Sequence, residues 1–516
     1  MAFVILQACC NDASCVDVCP VNCIHPTPDE PDFMRTEMLH IDPQTCIDCG
    51  ACVEACPVDA IKAEDELDDP ELPFIELNAD YFEQHPLQSG QLDVPKPLWR
   101  KADFSDMRVA IVGSGPAAFY AAAELISLKG VQVDMFERLL TPYGLVRSGV
   151  APDHPGTKAV TDIFRTLERR KNFRLHLGVE IGVDLTHEEL LAHNHAVIYA
   201  VGASSDRRLG IPGEDLPGSH TATEFVGWYN GHPDYADRTY DLSGERAVIV
   251  GNGNVALDVA RILVADPGTL AATDISGPAL AKLRSSSVRE VVVMGRRGPA
   301  HAAFTLPELI GLVDSGVPVT VDAADLEALP APADLDTTTR AKLDLLAECA
   351  ARPEPEGRRI RLAFFASPME VTAGADGRAS TLTAGRNRPV TDDSGAAVGI
   401  EPTGETVGLE TGLVLTSVGY RGVAVPGLPF DDAAGIIPHL DGRVLDGTEP
   451  VPGMYVTGWI KRGPSGFIGT NKTDSAQTVA SLLDDLESNA TEASAPRRRR
   501  LLGRRLGVAS SVAGLD

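Results

Sequence analysis

The glycine turn that follows Val112 constrains this chain more than any other feature. An apolar run, Val109, Ala110, Ile111 and Val112, enters Gly113-Ser114-Gly115-Pro116-Ala117-Ala118; an alanine-rich stretch then runs to Leu128, and a second apolar run spans Val131 to Phe136. That order predicts strand, tight turn, helix and strand. Gly113 and Gly115 let the backbone approach a pyrophosphate, small Ala118 lets helix and strand pack closely, and the helix N-terminus faces the anion. Glu137 closes the second strand, where a carboxylate accepts hydrogen bonds from a ribose. The stretch is therefore expected to bind a dinucleotide.

A second signature begins at Ala247. Val248-Ile249-Val250-Gly251-Asn252-Gly253-Asn254-Val255-Ala256-Leu257-Asp258 is again strand, glycine turn and helix. The strand after it, Glu290 to Met294, ends in Gly295-Arg296-Arg297 where the first ends in an acid. A carboxylate would repel a 2′-phosphate, whereas a guanidinium pair binds one through charge-assisted hydrogen bonds. This site is expected to prefer NADPH to NADH.

Around these units the chain reads as follows. Thr141 to Pro155, rich in glycine and proline, is expected to be a long irregular loop lining the first site. Lys158 to Arg170 reads as a helix, Phe173 to Leu177 as a strand, and Ala196 to Ala203 as a buried strand ending in glycine. Strands are also expected at Arg361 to Phe365 and near Leu409 to Leu415, within or beside a stretch from Pro330 that carries no chemical motif. Thr416-Ser417-Val418-Gly419-Tyr420 repeats the Ala200-Val201-Gly202 strand end and marks a return to the first nucleotide unit. A last strand, Met454 to Trp459, meets the glycine-rich turn Gly463 to Asn471 before a helix, Asp474 to Leu486.

Nine of the ten cysteines lie between Cys9 and Cys56, so they serve one local purpose. Cys9, Asp12, Cys15 and Cys19-Pro20 form C-x2-D-x2-C-x3-C-P; Cys46, Cys49, Cys52 and Cys56-Pro57 form C-x2-C-x2-C-x3-C-P. In such iron–sulfur repeats the cysteine before proline ligates the other cluster. One cluster is then expected on Cys46, Cys49, Cys52 and Cys19, and the other on Cys9, Cys15 and Cys56, with Asp12 in the fourth place. A carboxylate is a harder ligand than a thiolate, so the first cluster is expected to be 4Fe-4S and the second 3Fe-4S or 4Fe-4S. Structural zinc is the bland alternative. Cys10 and Cys23 fall outside the pattern.

The net charge of -28 argues against nucleic acid as a partner. Residues 1 to 106 hold 22 Asp and Glu against 5 Lys and Arg, a surface expected to dock on basic positions such as Lys461, Arg462 and Arg174, or simply to be solvated. No apolar run is long enough for a membrane span. The first residues show neither the order of a signal peptide nor an Arg-rich transit pattern, so a cytoplasmic chain is expected. Residues 66–106 are acidic and proline-rich and read as a linker, and 491–516 as a disordered basic tail.

Residues 1–65 resemble the bacterial two-cluster ferredoxins. At Gly113 to Ala118, Leu145 to Pro155, Gly251 to Asp258, Arg296-Arg297-Gly298-Pro299 and Trp459 to Asn471 the chain resembles the adrenodoxin reductase family of ferredoxin–NADP reductases. The resemblance implies an α/β fold of two Rossmann-like domains behind an α+β ferredoxin-like domain. An FAD domain (107–205 and 418–490) would carry an inserted NADP domain (206–417). It implies FAD at Gly113, Gly115, Ala118, Glu137, Leu145, Trp459, Gly466, Phe467 and Ile468. NADP(H) would lie at Arg207, Asn252, Gly253, Asn254, Val255, Arg296, Arg297 and Glu308, with His154 close to the isoalloxazine as the catalytic candidate. One departure stands out: the family usually has a second acid three residues after Glu308, where this chain has Gly311. The implied activity is NADPH–ferredoxin reduction, with hydride passing to FAD and single electrons to the clusters and then to a ferredoxin or other one-electron acceptor. The alternatives are a partner-bound iron–sulfur flavoprotein resembling the glutamate synthase small subunit, and a non-catalytic redox sensor.

If the arginine pair holds a 2′-phosphate, replacing both Arg296 and Arg297 by Ala should raise the KM for NADPH by about tenfold or more while leaving that for NADH nearly unchanged. Equal effects on the two coenzymes would remove the assignment.

Overall fold

The computed structural model describes residues 2–87, 103–327, 335–353, 355–391 and 397–488; the tail and much of the expected linker lie outside them. A seven-stranded sheet runs in the order His439–Leu440, Arg443–Asp446, Glu449–Val456, Ala196–Tyr199, Arg108–Val112, Gln132–Glu137, Phe173–Leu177. The last five of these strands pair in parallel. Both faces are covered, so its central strands are apolar throughout. Val109 and Ile111 enter one core cluster with the helices Pro116–Ser127 and Thr470–Ser488, and Ala110 and Val112 enter another on the opposite face.

The six-stranded sheet is wholly parallel: Ser219–Thr221, Leu413–Thr416, Arg246–Val250, Glu290–Met294, Arg359–Ala363, Val319–Val321. All of it lies in sequence between Ala196–Tyr199 and Glu449–Val456, two neighbouring strands of the first sheet. A short antiparallel pair, Ser205–Asp206 with Tyr420–Arg421, ties the outgoing chain to the returning one.

The N-terminal segment is small. Phe3–Ile5 pairs with Ile61–Ala63 and Ile24–His25 with His40–Ile41, with one-turn helices at Ser14–Val18 and Ala51–Ala55. The insertion between the cysteine repeats is a loop that nevertheless gives Phe33 to the core at 0% exposure.

Three sequence expectations need correction. Within the supposed linker 66–106, residues Pro73–Gln84 form a helix that buries Phe74, Leu77, Asn78 and Phe82. Those positions recur at helical spacing, Pro73 stands in the first turn, and Asp68 and Glu71 form a capping box just upstream; the surrounding acidic composition masked them. The loop at Thr141 to Pro155 contains a one-turn helix, Gly144–Ser148. The helix expected over Lys158 to Arg170 is two pieces, Pro155–Lys158 and Thr161–Glu168. In the stretch without a chemical motif, Ala366–Ala373, Ala379–Thr391 and Ala397–Glu410 form a three-stranded antiparallel ribbon.

Asn78 pins the helix Pro73–Gln84 to both N-terminal ladders. Its Oδ1 accepts from Ile5 N at 3.2 Å and Ile41 N at 2.9 Å, and its Nδ2 donates to Ile5 O at 2.9 Å. Asn78→Leu would leave two buried N–H groups without partners. It should destabilise this segment by about 2–4 kcal/mol, read as a lower thermal midpoint for iron loss.

Candidate functional site

The first glycine turn is shaped as a cradle. Gly113 has φ +100°, and a Cβ there would lie 2.4 Å from Ala200 O, so the turn closes tightly on the neighbouring strand end. A Cβ on Gly115 would meet nothing within 4 Å, which leaves open space in front of the helix Pro116–Ser127. Ser114 Oγ donates to Glu137 Oε2 at 2.6 Å and Leu139 N to Oε1 at 2.9 Å, fixing the carboxylate at the loop mouth. Ala118 is fully buried against the strand. These features fit a dinucleotide such as FAD.

The second turn repeats the design. Gly251 has φ +115°, a Cβ there would lie 2.0 Å from Ser417 O, and Gly253 again faces open space. Asn254 Oδ1 accepts from Thr305 N at 2.8 Å, joining this turn to the start of the helix Leu306–Asp314. Arg296 and Arg297 are both exposed. Their backbone is held by the ribbon: Asn387 Nδ2 donates to Arg296 O at 2.9 Å. Arg207 is exposed on the connecting chain, its N–H bonded to Gly419 O.

The turn Gly463 to Asn471 closes the first cradle. Asp474 accepts from Gly458 N at 2.6 Å and Thr457 Oγ1 at 3.0 Å, fixing the strand end before Trp459, and Trp459 Nε1 donates to Ser465 O at 3.1 Å. Gly466 has φ +78°.

His154 sits in a polar cluster. Arg261 bonds Asp153 Oδ2 at 2.7 Å, Asp258 Oδ1 at 2.7 Å and His154 Nε2 at 2.9 Å. A guanidinium only donates, so His154 Nε2 accepts and its ring proton is on Nδ1, 4.0 Å from Asp258 Oδ1. Glu308 completes the group, with ligand-type atoms of His154, Asp258 and Glu308 all within 4.8 Å of one another. Burial and then the Asp258 charge push the Glu308 carboxyl up to about 8, against the lowering pull of Arg261 and of Gln7. The sequence named His154 and Glu308 but missed Asp153 and Arg261 as their partners. Asp258 and Arg261 share one helix face, yet nothing local announces a pairing across more than a hundred residues.

The cysteines surround two cavities. Cys9, Asp12, Cys15 and Cys56 line one; Cys19, Cys46, Cys49 and Cys52 line the other. The cysteine before each proline thus faces the other repeat's cavity. Burial holds the Cys9 and Cys52 thiols up to about 11, so a bound cation is what would make them thiolates. All ten cysteines are free thiols, as a metal-binding role requires. Asp12 is engaged by Ser14, whose N–H lies 3.1 Å from Oδ1 and whose Oγ lies 2.5 Å from Oδ2. Cys10 lines the first cavity and Cys23 the second, with its Sγ 3.4 Å from Cys19 Sγ.

Docking of this segment differs from expectation. Lys461 is 3% exposed and pairs internally with Asp474 at 2.8 Å, as Arg462 does at 3.1 Å; Arg174 stands exposed on an edge strand. Contact runs instead through Lys472 to Ser14 Oγ (3.1 Å) and Lys342 to Glu37 (3.3 Å). Gly469 N donates to Cys10 O at 2.6 Å, and Leu306 and Ile310 enter the N-terminal core. A Cβ on Gly469 would lie 2.0 Å from Asp12 N, so the first cysteine cavity abuts the turn that closes the first cradle.

Residues 107–277 match the pyridine nucleotide-disulphide oxidoreductase family and residues 39–62 the 4Fe-4S binding domain. The chain is 55% identical over 501 residues to a probable ferredoxin/ferredoxin–NADP reductase of Mycobacterium tuberculosis, covering 94% of this chain and 84% of that one. It is 41% identical over 410 residues to the mitochondrial NADPH:adrenodoxin oxidoreductase of Arabidopsis thaliana, covering 75% and 84%. The solved structure of Mycobacterium tuberculosis FprA in complex with NADPH matches with a TM-score of 0.72 and 47% identity, over 78% of this chain and 89% of that one.

The raised Glu308 carboxyl makes stability depend on pH. Between its ordinary value of 4.5 and about 8 the folded chain keeps a proton that the unfolded chain has lost. Stability therefore falls as pH rises through that window. Glu308→Gln should remove this component, gaining on the parent by about 1–3 kcal/mol at pH 8 relative to pH 5 in denaturant melts; parallel melts would contradict it.

Proposed function

The chain belongs to the adrenodoxin reductase family of ferredoxin–NADP reductases, and from that membership we propose how its own residues divide the work of an NADPH–ferredoxin reductase. Residues 107–205 and 418–490 form the FAD domain and 206–417 the inserted NADP domain. The ferredoxin-like module is 1–65 with the helix Pro73–Gln84 added.

Ser114 and Leu139 orient Glu137 for the ribose of FAD, Gly113, Gly115 and Ala118 let the pyrophosphate approach, and Leu145, Trp459 and the Gly466 to Ile468 backbone enclose the ring. Asn252 to Val255 receive the pyrophosphate of NADPH, Arg296 and Arg297 its 2′-phosphate, and Arg207 borders the entry. His154 and Glu308, held by Arg261 and Asp258, wall the nicotinamide end and exclude water; hydride transfer needs no proton from His154. Flavin supplies the step from a paired-electron donor to single-electron centres. Two clusters fit the two cavities, one held by Cys46, Cys49, Cys52 and Cys19, the other by Cys9, Cys15 and Cys56 with Asp12 or solvent on the fourth position.

The observation that carries this reading is the backbone bond from Gly469 to Cys10, which sets the first cysteine cavity directly against the flavin-enclosing turn. Cys49, beside the second cavity, is exposed, and in this reading it would be the outlet toward a ferredoxin-type acceptor. Among the described residues no helix is long and apolar enough to cross a membrane, and unpaired cysteines accord with a cytoplasmic setting.

Cys49→Ala in the full chain should remove one cluster's iron and its EPR signal while NADPH still bleaches the flavin anaerobically; transfer to external ferredoxin should fall by about tenfold or more. Unimpaired transfer would mean that electrons bypass the module.

A further inference from the structure

One side chain of the ferredoxin-like module reaches into the NADPH half. Just past Phe3–Ile5, Gln7 lays its amide along the helix Leu306–Asp314, with Nε2 3.5 Å from Glu308 Oε2. A Cβ built on Gly311 would lie 2.3 Å from that nitrogen and 2.5 Å from the amide oxygen. Glycine inside a helix costs about 1 kcal/mol relative to alanine, and here its bareness is what leaves room for Gln7. The same helix is held by the module at two further places. Glu37 Oε2 accepts the Leu306 N–H at 2.7 Å, and Leu306 and Ile310 are buried in the module's core. The contact is therefore part of a built interface.

On its other side Glu308 faces Asp258 and Arg261 from the helix Asn254–Val264, and Asp153 and His154 from the loop before Pro155. Arg261 engages all three of the others, so none is free to follow a change at Glu308. A carboxamide differs: it donates N–H to an ionised carboxylate and, turned over, accepts from a protonated one.

We propose that Gln7 is a positioning residue of the hydride-transfer site, fixing the Glu308 carboxyl against the nicotinamide pocket and so coupling the docking of the ferredoxin-like module to NADPH use. The proposal rests on the reading that Glu308 faces the nicotinamide. It gives the bare Gly311 a role: any side chain there would occupy the space that the module's amide fills.

The test uses the full-length holoenzyme with Gln7→Ala, Gly311→Ala and the double variant, each checked for flavin and iron content. Anaerobic stopped-flow then follows flavin reduction by NADPH across pH. Each single variant should reduce flavin about fivefold more slowly at saturating NADPH, the loss of one hydrogen bond. In Gln7→Ala the limb of the profile governed by Glu308 should move to higher pH, because its anion has lost a donor. The double variant should be no slower than the slower single, since both changes remove one contact. Unchanged rates, an unmoved limb or effects that multiply in the double would overturn the proposal. If Gln7→Ala loses cofactor, Gly311→Ala decides alone, because it alters no residue of the module. Glu308→Gln separates the two layers: no effect there sinks the nicotinamide reading itself, whereas an effect there with none from Gln7→Ala or Gly311→Ala sinks only the coupling.

Discussion

Leu306 and Ile310 belong to a helix of the six-stranded half yet fill the apolar core of the N-terminal module, and the placement of that module depends on the shared burial. Each side chain removed from water contributes about 1.5–3 kcal/mol. Across the same boundary the exposed pair Lys472 with Asp17, at 3.9 Å, contributes at most about 1 kcal/mol, while Lys342 is buried and held by Glu37 at 3.3 Å and by Phe304 O at 2.9 Å. Apolar packing therefore decides where the module sits, and charge selects its orientation. The uneven acidity of the sequence pointed to docking, but to other basic residues, because Lys461 and Arg462 pair internally with Asp474.

The two nucleotide cradles show how far local sequence reaches. Gly113 closes on Ala200 and Gly251 on Ser417 in the same manner, and in each case the partner is the end of the neighbouring parallel strand. Strand, turn and helix follow from a contiguous stretch of chain, so both glycine turns were legible. The grouping of the cysteines was legible for a similar reason: short spacings and the proline after the last cysteine restrict which thiols can converge.

What escaped notice shares one physical character. Asp153 meets Arg261, Gln7 meets Glu308 and Glu37 meets Leu306 across separations that no periodicity encodes. The helix Pro73–Gln84 is a different case. Its apolar spacing stands within an acidic, proline-rich neighbourhood whose composition masks it. The ribbon 366–410 carries no chemical motif, and its role emerges only from Asn387 holding the backbone of Arg296.

The backbone crowding at Gly469 ties that position to the N-terminal segment. A reductase lacking the N-terminal segment has no Asp12 peptide above that position, so this particular demand for a bare α-carbon disappears. A methyl group at 469 would press on the Asp12 backbone and one at 311 on the Gln7 amide, so at both positions the N-terminal segment limits the side chain that the rest of the molecule can carry.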